Sequence, residues 1–113
     1  MADAVSALAR TISDTARKYG LKTLHFDATD VTLITRVGIS QEVFLQVYAN
    51  TKKDKLNMAL VVAGERIYGI DNEGGFYHEH PFEDPSCHIA AEKMDIEDFV
   101  VRSLELLRKI NLI

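Results

Sequence analysis

A chain of 113 residues with 47% apolar and 27% charged side chains has the composition of a folded globular domain, which excludes disordered and fibrous classes. Its net charge of −4 counts against a broad nucleic-acid surface, because neutralising phosphates takes clustered lysine and arginine. The lone Cys87 excludes an intrachain disulfide, no apolar run nears the roughly 20 residues of a membrane span, and no signal-peptide core opens the chain. The expectation is a cytoplasmic protein with a single domain over residues 1–113.

In chain order, Val5, Leu8, Ile12, Ala16 and Tyr19 recur at steps of three and four and predict a helix over about residues 3–19. Asp3 suits its N-cap and Gly20 a left-handed C′ position. Alternating apolar residues then predict strands at Lys22–Asp27, Val31–Arg36 (closed by Gly38), Glu42–Ala49, Leu56–Val62 and Arg66–Asp71. In the third of these, Phe44 and Tyr48 fall on the solvent side. Asn72–Gly75 is a turn, since Asn bonds its own backbone and glycine accepts positive φ. The last helix is predicted over about 95–111, with Asp95 as N-cap, Met94 stapled to Phe99, and one stripe through Ile96, Phe99, Val100, Ser103, Leu104, Leu107 and Ile110. Short turns between alternating strands imply an α+β fold. It has an antiparallel meander of about five to six strands, with the N-terminal and C-terminal helices packed on one face.

Chemistry concentrates in one stretch. His78, His80 and His88 fall within eleven residues, with Asp71 at the end of the preceding strand. The residue before Pro81 prefers extended backbone, so His78 and His80 project from one side about 6–7 Å apart. The loop bounded by Pro81 and Pro85 returns His88 toward them. Imidazoles titrate near neutrality, so His78, His80 and His88 are candidate acid–base residues with Asp71 in support. Two such groups around a phosphodiester would cleave RNA without metal, with Arg66, Tyr77 and Asn72 as candidate binding residues. The alternative reading makes His78, His80 and His88 ligands of a divalent transition metal; the sequence names no other cofactor. Gly74-Gly75 is no phosphate loop, for it lacks the Gly-x-x-x-x-Gly-Lys frame, and His25 reads as structural. A third reading is a non-catalytic interaction module that uses the face of Phe44 and Tyr48.

From about residue 42 to 110 the order of features is that of a known family. A strand at Glu42–Ala49 and another at Leu56–Val62 precede the hairpin Ala63-Gly-Glu-Arg-Ile-Tyr-Gly-Ile-Asp-Asn72. The segment His78-Glu-His-Pro-Phe-Glu-Asp-Pro-Ser-Cys-His88 follows, and a helix with Asp98-Phe99 closes the chain. This resembles the TumE-like family of small prokaryotic toxin components of toxin–antitoxin pairs, with matched positions at Asp71, Asn72, His78, His80, Pro81, Pro85 and His88. Tyr68 stands three positions before Asp71, where the family has a contiguous Tyr-Asp-Asn, and Cys87 stands where relatives often carry a basic residue or histidine. The resemblance implies a small antitoxin protein as partner and RNA as target. Exposed aromatics and the apolar terminus Ile110-Asn-Leu-Ile113 suggest a homodimer.

Overall fold

The computed structural model describes residues 3–113. Helix α1 (Ala4–Lys18) leads into β1 (Lys22–Ala28), β2 (Thr32–Ser40), β3 (Val43–Asn50), β4 (Lys55–Val62), β5 (Glu65–Glu73), β6 (Phe76–His80) and β7 (Ile89–Ala91), and helix α2 (Ile96–Lys109) closes the chain. The strands form one antiparallel sheet in which spatial order is chain order. The α+β meander is therefore as expected, but it has seven strands. The added one, β7, has three residues, too few for an alternation to register. Its pairing with β6 makes it a strand, at Tyr77↔Ala91, His78↔Ala90 and Glu79↔Ile89.

Both helices end as their sequences dictate. Asp3 accepts from the Ser6 amide at 2.7 Å, Asp95 accepts from the Asp98 amide at 2.8 Å, and Gly20 takes φ +72° after α1. Each cap satisfies an amide that the helix cannot. The helices cover one face of the sheet. Leu33, Leu45, Met58, Leu60 and Ile70 meet Ile12, Ala16, Phe99, Leu106 and Leu107 in one continuous core. Burial of each large apolar side chain there contributes about 1.5–3 kcal/mol.

Strand β2 does not stop before Gly38 but runs through it to Ser40. A Cβ at Gly38 would stand 2.5 Å from Phe44 Cα and 2.5 Å from the Val43 carbonyl oxygen. The pairing of β2 with β3 is irregular between Gly38 and Ser40, and only glycine admits so close an approach. Phe44 also departs from expectation. It does lie on the face away from the helices, but it is 7% exposed, because the Arg36 guanidinium sits 4.9 Å above its ring centroid. Tyr48 is half-buried.

Tyr68 anchors α2 to the sheet. It is 2% exposed and stacks on Phe99 with ring centroids 5.5 Å apart. Its hydroxyl lies 3.5 Å from Glu79 Oε2 and 3.8 Å from Met94 Sδ. Burial, followed by the Glu79 charge, pushes the phenol up to about 12, against an opposing contribution from Arg102. Between the unfolded value of 10.0 and about 12 the folded chain holds a proton that the unfolded chain releases. Stability should therefore fall as pH rises through this window, by roughly 3 kcal/mol from this group. Compared by urea midpoints from pH 9 upward, wild type should lose stability relative to Tyr68→Phe; a constant offset would refute this.

Among the described residues, no helix is long and apolar enough to cross a membrane.

Candidate functional site

Strand parity sorts the candidate residues onto two faces. Tyr68, Ile70 and Asn72 of β5 turn toward the helices, so Gly69 and Asp71 turn away from them. Register then places Asn57, Asp71, His78 and Ala90 in one row across the outer face. The adjacent row runs through Gln46, Ala59, Gly69 and His80. His88 precedes Ile89, which pairs with Glu79, and so arrives beside His80 on that same outer face.

Asp71 is directly opposite His78, yet its carboxylate bonds to His80, on the diagonal. His80 Nε2 lies 2.9 Å from Asp71 Oδ2, with side-chain exposures of 11% and 21%. The residue opposite His80 is Gly69, and the bare backbone there lets the imidazole lean toward Asp71. The other ring nitrogen, Nδ1, lies 3.1 Å from the Pro85 carbonyl oxygen. Two turns shape the loop that supplies this carbonyl, the Asp84 amide donating to Pro81 O and the Cys87 amide to Asp84 O. Both nitrogens of His80 therefore face oxygen acceptors, and only an imidazolium could donate to both.

His88 lies over this pair, its ring centroid 4.7 Å from that of His80 and 4.4 Å from that of His78. One donor atom from each of Asp71, His80 and His88 lies within 4.8 Å of the others. His78 touches the cluster through its ring but is outside this convergent set. The expected three-histidine grouping thus becomes two histidines and a carboxylate, with the third histidine packed alongside.

The candidate binding residues divide. Asn72 and Tyr77 face the helix side; the Asn72 side chain accepts from the Gly75 amide at 2.9 Å and serves the turn. Both line a shallow depression of about 600 Å³ together with Lys93 and His78. Arg66 comes instead to the histidine face. The pairing of β4 with β5 shifts between Leu60 and Val61, so that Leu60 pairs with Tyr68 and Val61 with Arg66. Ile67 is the extra residue of this bulge, and it inverts the parity of everything before it. His25 is exposed on β1, remote from the cluster, and Cys87 is exposed with a free thiol.

Three contributors were not anticipated. Gly69 had a visible signal, as glycine inside a strand marks a bulge or a close approach. The Pro85 carbonyl had none, because every residue carries one. Asn57, opposite Asp71, has a buried side-chain oxygen with no hydrogen-bond partner among the described residues.

No protein-family model, curated protein or solved structure matches this chain.

Proposed function

We propose that Asp71, His80 and His88 bind one divalent transition metal and that this centre carries the protein's activity. The observation behind the reading is the double engagement of His80. A ligating imidazole ordinarily donates its second N–H to a carbonyl or carboxylate, which fixes the tautomer and aims the other nitrogen at the metal. Pro85 O stands at Nδ1 in that role, and Nε2 points at Asp71. With bonds of about 2.0–2.2 Å, neighbouring donors stand roughly 3 Å apart. Asp71 and His80 already have that separation, and a metal held by both would replace the hydrogen bond between them. His88, exposed on its loop, would close the remaining distance by side-chain rotation.

Two nitrogens and a carboxylate leave positions open, as in catalytic rather than structural sites, and such a donor set suits zinc, iron or manganese better than calcium. Titration with Zn²⁺, Ni²⁺ or Mn²⁺ should show one equivalent bound and a raised melting temperature. Ligand at about 100 times its Kd adds roughly 2.7 kcal/mol. No uptake and an unmoved melting curve would remove the reading.

A second reading is a TumE-like toxin component, or a domesticated relative, acting on RNA in the cytoplasm beside a small antitoxin. The packing of the exposed His88 ring against both His78 and His80 supports it, since a chain-like substrate can reach an exposed surface. Expression alone should arrest growth, and the triple change of these histidines to alanine should relieve the arrest; arrest that persists would sink the histidine assignment. RNA cleavage that survives metal removal belongs to this second reading. Phe26, 55% exposed on the edge strand β1, supports a homodimeric form, for which sedimentation is the test.

A further inference from the structure

We propose that the open side of the metal centre receives a phosphate group and that Arg66 is the residue that anchors it. The inference rests on the metal reading above and adds the substrate class.

Arg66 reaches this face only because Ile67 is bulged out of the β4–β5 pairing. In regular pairing Arg66 would share parity with Tyr68 and Ile70 and turn toward the helices. Bulges commonly re-aim a side chain beside a functional site, and here the re-aimed side chain is the one best suited to an oxyanion. The Arg66 stem is directed toward the cluster. A Cβ on Gly69 would meet Arg66 Cδ at 3.2 Å and His80 Cδ2 at 3.8 Å, so arginine and imidazole share the gap that glycine leaves. Arg36, on the same face, is already committed: it donates to Gln46 at 2.9 Å and covers Phe44. Arg66 makes no ion pair or side-chain hydrogen bond among the described residues.

Charge sets the ligand class. The chain carries −4 overall, so an anion needs local compensation. A divalent ion held by one carboxylate retains one positive charge, and the Arg66 guanidinium adds a second, matching a phosphate with up to two negative charges. The planar guanidinium also offers paired donors in the geometry of phosphate oxygens.

The test uses full-length protein loaded with Co²⁺, whose visible absorption reports the ligand field, and inorganic phosphate as the probe. Phosphate should perturb the cobalt spectrum of wild type. Arg66→Gln should take up Co²⁺ as wild type does but bind phosphate roughly tenfold or more weakly. Arg66→Lys should recover part of the loss, as a point charge without the fork. Measured by isothermal calorimetry, metal-free protein should bind phosphate at least as poorly as Arg66→Gln. Equal phosphate affinity in wild type and Arg66→Gln, or in loaded and metal-free protein, overturns the proposal. Failure of wild type to take up Co²⁺ overturns the metal reading instead, so the two failures are distinct. Competition by a nucleoside monophosphate or by a short single-stranded RNA then identifies the phosphate's source as a monoester or a chain.

Discussion

Changing His80 to alanine should lower metal affinity by roughly a hundredfold or more, beyond what loss of an outer-shell partner alone produces. The reason is that His80 has two roles. In the proposed centre it would supply Nε2 to the metal, and its Nδ1 contact with Pro85 O ties down the loop that carries His88. Removing the ring would take away one proposed ligand and release another. The change also costs stability without metal, because Asp71 and the Pro85 carbonyl both lose their partner. A buried group stripped of its hydrogen bond costs about 1–3 kcal/mol. His78→Ala is the control: it removes a ring 4.4 Å from His88 but none of the convergent donors, so most of the metal affinity should remain. Calorimetric metal titration and urea midpoints decide the matter. If His78→Ala lost as much affinity as His80→Ala, the ligand set of Asp71, His80 and His88 would be wrong.

Gly38→Ala should be the most damaging single-methyl addition, destabilising by about 3 kcal/mol. The atoms in the way, Phe44 Cα and Val43 O, are backbone, so no rotamer change relieves the clash and β2 must move off β3. Gly64→Ala gives the contrast. Its φ is +81° and a Cβ there meets nothing within 4 Å, so only conformational strain of about 1–2 kcal/mol remains. Thermal melts of both variants should separate clearly. Equal costs would mean that the sheet yields at Gly38 more easily than its geometry suggests.

Helices and most strands were legible because the solvent that surrounds them enforces period. Val5, Ile12 and Ala16 mark one stripe, and Leu56, Met58 and Leu60 one alternation. Alternation put His78 and His80 on one face, but Asn72 and Tyr77, grouped with them as binding residues, turn to the other because β5 continues in strand through Glu73. Partner choice was less legible. That Asp71 bonds His80 rather than His78 depends on Gly69, two strands' side chains meeting over a backbone with nothing on it. The side taken by Arg66 was inverted by a bulge at Ile67, whose residues carry no breaker signal. Strand β7 exists by pairing alone.

Because sheet order equals chain order, residues 66–88 bring the whole candidate centre together through adjacent hairpins. Forming it takes only short loop closures, whose entropic cost is small. The centre should therefore assemble early and tolerate insertions at the β1–β2 turn. By the same logic it is exposed to a one-residue slip of β6, which would present Tyr77 and Glu79 where His78 and His80 belong. The tie from His80 to Pro85 opposes that slip and so guards the frame in which the strand is read.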